Sequence, residues 1–113
     1  MHEFGLCEGI LDAVLARAAG RPVTRARVQI GALHRVDPAA LEQAFEMVAA
    51  GTVAENAAVD LVVVPVRVSC ASCGWQAESE EPYAVCETCS GTDVAIEGGD
   101  ELLLESVSFP VPA

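Results

Sequence analysis

Basic side chains are scarce in this chain of 113 residues: six Lys and Arg residues stand against 17 Asp and Glu residues, and the formal net charge is −11. Phosphate backbones repel a polypeptide this acidic, so the charge argues against nucleic-acid binding. It favours a basic protein or a cation as the ligand. Aromatic residues are also few, with one Trp, one Tyr and three Phe. The core must therefore be built mainly from Val, Leu, Ala and Ile.

Long apolar runs and a basic leader are both missing. No stretch approaches the roughly 18 apolar residues that a membrane-spanning helix needs. The start, Met1-His2-Glu3-Phe4, lacks the positive charge that opens a secretory signal. We therefore expect a cytoplasmic protein whose thiols stay reduced. Because no nucleophile–base pair, phosphate-binding loop or open metal site is recognisable, we do not expect an enzyme.

Two segments carry helical signals. Apolar residues at steps of three and four predict an amphipathic helix over about 4–19. A second helix is expected to begin at Asp37-Pro38, with Asp37 as N-cap and Pro38 in the first turn, and to close at Gly51.

Three segments carry strand signals. Residues 24–30 alternate between apolar and polar side chains, and we expect Arg25 and Arg27 on the solvated face, where they can pair with acids. The β-branched run 59–68 predicts a second strand, with Pro65 marking an edge or a bulge. A third strand is expected at about 101–109. The sequence thus predicts an α+β fold in which two helices pack on a small three-stranded sheet, with a cysteine module inserted between two of the strands.

Two Cys-x-x-Cys brackets, separated by twelve residues, define that module: Cys70, Cys73, Cys86 and Cys89. Four thiolates at this spacing form a closed tetrahedral site, the usual form of structural zinc. The small residues that follow each bracket predict turns whose backbone N–H groups point at sulfur. A rubredoxin-like iron site uses the same ligands, and disulfides would require an oxidising compartment.

The N-terminus offers a second set of ligands. His2 places an imidazole beside the α-amine of Met1 and the amide nitrogens of His2 and Glu3. Amine, amide and imidazole nitrogens in one plane suit Ni(II) or Cu(II) better than tetrahedral zinc. The competing interpretation is that His2 is a terminal histidine that binds no metal.

The chain resembles the HypA/HybF family, the nickel metallochaperones of [NiFe]-hydrogenase maturation, over residues 1–108. The combination of a Met-His-Glu start with two late Cys-x-x-Cys pairs is more specific than either part. The resemblance rests on Met1-His2-Glu3, an amphipathic helix, Val28-Gln29-Ile30-Gly31, Val36-Asp37-Pro38, Ala40-Leu41, Ala44-Phe45, Gly51-Thr52, Ala54-Glu55, both brackets and Gly99-Asp100-Glu101-Leu102.

The resemblance implies a nickel-binding α+β domain formed by 1–68 and 97–113, into which a zinc-binding domain of 69–96 is inserted. It implies that His2 and backbone nitrogens at Met1 hold Ni2+ as cargo, with Glu3 adjacent, and that Zn2+ is structural. Asp37 matches an acidic residue linked to the nickel site in some members. A maturation GTPase and a hydrogenase large subunit are the implied partners, and a homodimer is compatible with the sequence.

The other polar candidates are expected to have structural roles. Cys7 lies on the apolar stripe of the first helix and is expected to be a buried thiol, although sulfur also binds nickel well. His34 is expected on the surface, and the acidic segment 78–81 in a solvated loop. Two alternative functions stay open at this point: a zinc-ribbon scaffold for protein interactions, and a rubredoxin-like iron electron carrier.

Overall fold

The computed structural model describes residues 2–81 and 85–111, and in that part of the chain it contains two α-helices, one short 3-10 helix (Ala32–His34) and six strands. No described helix has the length and apolar character that crossing a membrane requires. The elements are α1 His2–Ala18, β1 Arg25–Gly31, α2 Pro38–Ala49, β2 Ala58–Val64, β3 Val66–Cys70, β4 Gln76–Ser79, β5 Val94–Glu97 and β6 Leu102–Ser108.

Both predicted helices are present and pack against each other. Helix α1 begins two residues earlier than the periodicity indicated, at His2. Helix α2 begins as predicted, because the side chain of Asp37 accepts a hydrogen bond from the amide of Ala39 at 3.1 Å and Pro38 occupies the first turn. The fully buried side chains of this helix pair include Cys7, Val14, Leu41 and Phe45.

One three-stranded sheet has the strand order β2-β1-β6. Ala26, Val28 and Ile30 of β1 are buried, so the predicted alternation is confirmed. The outward-facing arginines also pair with acids as expected: Arg25 contacts Asp60 at 2.5 Å, and Arg27 contacts Glu105 at 2.6 Å.

The prediction of a single strand over 59–68 was wrong. The segment breaks at Pro65, which has no N–H to donate to a ladder, and becomes β2 and β3 in two different sheets. The second sheet has the order β4-β3-β5, with both pairs antiparallel. Glu78 is correspondingly a strand residue opposite Arg67, and not part of a loop. The α+β class, with two helices, a three-stranded sheet and a four-cysteine module, is confirmed.

Contacts divide the chain into two compact units. The first contains the residues up to Gln29, Val36–Val62 and the residues from Leu103 onward. The second contains Ile30–Arg35 and Val63–Leu102. Its core consists of Ala32, Val66 and Val68, against which Val63, Trp75, Ala77 and Val94 pack. The functional domains expected at 1–68 with 97–113, and at 69–96, remain a prediction.

Candidate metal centre

The four predicted cysteine ligands meet at one point of the second unit. Cys70 is the last residue of β3, and Cys86 and Cys89 lie on the segment that leads into β5. The four sulfur atoms lie within 4.8 Å of one another. Across the brackets, Cys70 Sγ is 3.7 Å from Cys89 Sγ, and Cys73 Sγ is 3.5 Å from Cys86 Sγ.

Both brackets fold into the same backbone turn. In each, the amide of the first cysteine donates to the carbonyl five residues later, and the amide four residues later donates back to the carbonyl of that cysteine. Gly74 and Ser90 occupy the same position in the two turns and both have positive φ, +79° and +61°. The four bonds are Cys70 N to Trp75 O at 2.8 Å, Gly74 N to Cys70 O at 2.9 Å, Cys86 N to Gly91 O at 2.9 Å and Ser90 N to Cys86 O at 2.9 Å.

The turns aim backbone N–H groups at sulfur, as predicted. The amides of Thr88 and Cys89 donate to Cys86 Sγ at 3.3 and 3.4 Å. Burial raises the pKa of the Cys86 thiol, but these amides and the neighbouring thiols outweigh it and lower the pKa to about 7. At Cys73 the amide of Trp75 lowers the pKa, yet hydrogen bonding to the other thiols and burial raise it to about 12. Without a metal, the hydrogen bonds of the cluster thus favour the thiolate at Cys86 and the thiol at Cys73.

The dimensions of the cluster fit one tetrahedral ion. With a metal–sulfur distance of about 2.3 Å, ideal tetrahedral geometry separates the sulfurs by about 3.8 Å. The two cross-bracket separations, 3.7 and 3.5 Å, lie close to that value. Four thiolates fill the four positions of such an ion and leave none for a water or a substrate, which is typical of a structural centre. A bound ion would cross-link the two brackets.

The residues predicted for the N-terminal site fall at the edge of the described structure. Met1 and the side chain of His2 lie outside the described residues, and the backbone of His2 begins α1. Glu3 lies in the first turn of the helix and is half-buried. Among the described side chains, those of residues 3–81 and 85–111, the four cysteines are the one group of three or more His, Cys, Asp or Glu close enough to hold an ion.

Cys7 has the structural role expected from its position. Its side chain is fully buried, and Sγ donates to the carbonyl oxygen of Leu41 at 3.3 Å. Burial, and secondarily the charge of Glu3, raise the pKa of the thiol to about 11. A protonated, hydrogen-bonded thiol is a poor metal ligand, because the thiolate is the binding form.

Neither His34 nor Asp37 is part of the group of four cysteines. The Nε2 atom of His34 lies 3.0 Å from the carbonyl oxygen of Asp100, in the turn before β6. The carboxylate of Asp37 caps α2, which accounts for an acid at that position. The sequence patterns did not single out Trp75, two residues after the first bracket, which packs on the core of the second unit. A large apolar residue so close to a bracket was the available signal.

Comparison with known proteins gives one consistent result. Residues 1–109 match the family described as "Hydrogenase/urease nickel incorporation, metallochaperone, hypA". The hydrogenase maturation factor HypA of Rhodobacter capsulatus is 41% identical over 110 residues, covering 95% of this chain and 97% of that protein. HypA 2 of Bradyrhizobium diazoefficiens is 38% identical over 105 residues, covering 90% and 93%.

Solved structures agree with the sequence comparison. The solution structure of the Ni metallochaperone HypA from Helicobacter pylori matches with a TM-score of 0.62 at 25% identity, covering 95% of this chain and 96% of that one. Agreement in sequence and in fold covers nearly the whole chain, as the resemblance of its motifs predicted. The chain therefore belongs to the HypA family of hydrogenase and urease nickel-incorporation metallochaperones.

Proposed function

We propose that this protein captures Ni(II) at its N-terminus and passes it on during [NiFe]-hydrogenase maturation, while its four cysteines hold a structural Zn2+. The observation that carries the proposal is the family match over residues 1–109, combined with a Met1-His2-Glu3 start. The nickel ligands would be the amine of Met1 and the amide and imidazole nitrogens of His2, with Glu3 beside them.

The position of helix α1 supports this ligand set. The first four N–H groups of a helix have no acceptor within it, and α1 begins at His2. The amide of His2 is therefore available to be deprotonated and bound without breaking a helical hydrogen bond. Nitrogen ligands in one plane suit Ni(II), so a helix start with an adjacent histidine meets the chemical requirement.

Nearby sulfur does not compete for this cargo. Cys7, one turn and a half along the same helix, is fully buried, donates to Leu41 and has a pKa raised to about 11 by burial and by Glu3. Its thiol is thus held protonated at neutral pH. The nickel site would be formed by nitrogen, with any oxygen supplied by Glu3.

The remaining assignments follow from the family. Residues 1–68 and 97–113 would handle nickel, and residues 69–96 would hold zinc. The partners would be a maturation GTPase and the large subunit of a [NiFe]-hydrogenase, met in the cytoplasm. The charge of −11 suits contact with basic partner surfaces. Because the role is to carry an ion, we propose that the protein is not an enzyme.

Nickel titration of the untagged protein, followed by calorimetry, tests the site. We expect one Ni(II) per chain in the native protein. His2→Ala should weaken binding by about 100-fold or more, since loss of a direct ligand exceeds the 10–100-fold effect typical of a ligand's supporting partner. The matched control is His34→Ala, which removes the other histidine and should leave nickel binding unchanged. Native affinity in His2→Ala would refute the proposed site.

Acetylation of the α-amine separates the terminal amine from the imidazole. The acetyl group removes the amine as a ligand but keeps every side chain. We expect affinity to fall markedly, because the amine, the amide and the imidazole no longer form one chelate. An acetylated protein with unchanged affinity would show that the imidazole binds nickel without the terminal amine.

Metal analysis of the purified protein tests the proposed zinc. One equivalent of zinc in a colourless protein is expected, whereas iron bound by four thiolates would be red. Red protein containing one iron would instead support the alternative function, a rubredoxin-like electron carrier.

A further inference from the structure

The two cysteines of each bracket differ in their access to solvent. Cys70 and Cys86, the first of each bracket, are 3% and 1% exposed. Cys73 and Cys89, the second of each bracket, are exposed. The cluster therefore has two sulfur-bearing residues on its protein side and two on its solvent side.

Each exposed cysteine has a close sulfur neighbour in the other bracket. Cys73 Sγ lies 3.5 Å from Cys86 Sγ, and Cys89 Sγ lies 3.7 Å from Cys70 Sγ. Each of these pairs joins one exposed and one buried cysteine. A reagent that arrives from solvent therefore reaches the exposed cysteine of each pair first. The buried cysteine of the same pair lies close enough to react with it next.

We propose that Cys73 and Cys89 are the sites at which a peroxide oxidises this centre, and that Cys86 and Cys70 then close two cross-bracket disulfides, Cys73–Cys86 and Cys70–Cys89. The inference goes beyond nickel delivery and does not depend on it. It requires only that the four thiolates hold an ion, which is lost as the bridges form.

The chemistry of each bridge balances with one peroxide. The exposed thiolate attacks a peroxide oxygen, the O–O bond breaks, and a sulfenic acid and one hydroxide form. The buried thiolate then attacks the sulfenic sulfur and expels a second hydroxide as the S–S bond forms. The two sulfurs lose two electrons in total, and the two peroxide oxygens gain them. Two peroxides convert all four thiolates and leave the ion without ligands.

Which cysteines pair decides whether the second unit keeps its fold after the ion is lost. Disulfides within the brackets would leave the two turns unconnected once the ion has gone. Cross-bracket disulfides replace the ion as the link between them, because each one closes a loop that joins the two turns. The oxidised unit is therefore expected to keep its structure without metal and to recover its thiols, and then the ion, when a small thiol reduces it.

Peptide mapping of the full chain, loaded with one equivalent of Zn2+ and treated with limiting hydrogen peroxide, tests the assignment. Cleavage after Arg67 and after glutamates puts Cys70 and Cys73 on one fragment and separates Cys86 from Cys89 at Glu87. Trapping with dimedone should label Cys73 and Cys89 in about tenfold excess over the buried pair. Without the trap, the first fragment should be bridged to both of the others. Tandem mass spectra that break the chain between Cys70 and Cys73 should then show Cys73 linked to Cys86 and Cys70 linked to Cys89. Cys7, fully buried in the other unit, should stay reduced and serves as the internal reference.

Several results would overturn the proposal. These are dimedone on Cys70 or Cys86, bridges within a bracket, or four reduced thiols at a peroxide dose that oxidises a cysteine peptide in the same tube. The fluorescence of Trp75 adds a readout of structure, since this residue packs on the core of the unit and is the one tryptophan of the chain. Oxidised, zinc-free protein should keep the native emission, and reduced, zinc-stripped protein should lose it. Equal loss in both would contradict the cross-bracket linkage.

Discussion

Gly31 and Gly99 meet backbone to backbone in the cysteine-bearing unit. A Cβ added to Gly31 would overlap the carbonyl group of Gly99 and approach Asp100 N to 2.7 Å. Two hydrogen bonds surround this contact: Gly31 N donates to Glu101 O at 2.7 Å, and Leu33 N donates to Gly99 O at 2.8 Å. The segment Ile30–Arg35 is thereby fastened to the turn before β6.

Gly31→Ala is expected to destabilise the protein by about 3 kcal/mol, because the neighbouring atoms are backbone and cannot rotate away. Gly9→Ala is the matched control, since a Cβ there meets nothing within 4 Å and alanine is the better helix former by about 1 kcal/mol. Urea denaturation of the zinc-loaded variants measures both effects. If Gly31→Ala proved as stable as the native protein, the close approach would be wrong.

Ser90→Gly should stabilise the second bracket by about 1 kcal/mol, since a side chain at positive φ costs about that amount and Ser90 has φ +61°. Gly74→Ser, the reciprocal change at the equivalent position with φ +79°, should destabilise the first bracket by a similar amount. The chelator concentration that removes half of the zinc measures each effect. Shifts of the same sign in the two variants would contradict the equivalence of the turns.

Removal of the ion should unfold the second unit and spare the helices. The strands β4 and β5 and the core around Val66 and Val68 belong to the unit that the ion would cross-link, while α1 and α2 belong to the other. Chelation, or Cys73→Ser, is therefore expected to abolish native Trp75 fluorescence while helical circular dichroism persists. Ser72→Ala, in the same bracket, is the control and should keep zinc and emission. Retention of one zinc in Cys73→Ser would disprove the four-sulfur site.

The Cys7 thiol should make stability fall in alkaline solution. Its pKa is raised from 9.0 to about 11 in the folded protein, so the unfolded chain loses its proton first as the pH rises. The folded state then holds more protons than the unfolded state. The contribution of the thiol to the free energy of unfolding is therefore complete below pH 9 and is lost towards pH 11, by about 1.4 kcal/mol per pH unit at most. Zinc-loaded Cys7→Ala should lack this slope. If the stability of both proteins fell equally with rising pH, the raised pKa of the Cys7 thiol would be wrong.

The helices and the caps were predictable because their signals are local. Asp37 and Pro38 specify the start of α2 within one turn, and the spacing of apolar residues specifies α1. The break at Pro65 was only half predictable: the sequence marked an irregularity there, but not that β3 would leave the first sheet and pair with β4 and β5. One partner of β3, the strand β4, follows it closely in sequence, but the other, β5, comes from a distant segment. The register of both pairs depends on packing around Val66 and Val68.

The two brackets in the sequence are enough to specify which four sulfurs come together, because each short bracket preorganises its own turn. The acidic character of the chain is likewise a property of composition alone. The association of Ile30–Arg35 with the cysteines, and the burial of Cys70 and Cys86 while Cys73 and Cys89 are exposed, come from the tertiary structure. The reason is that ligand spacing is a property of a few bonded residues, whereas burial depends on which distant strands cover each side of the cluster.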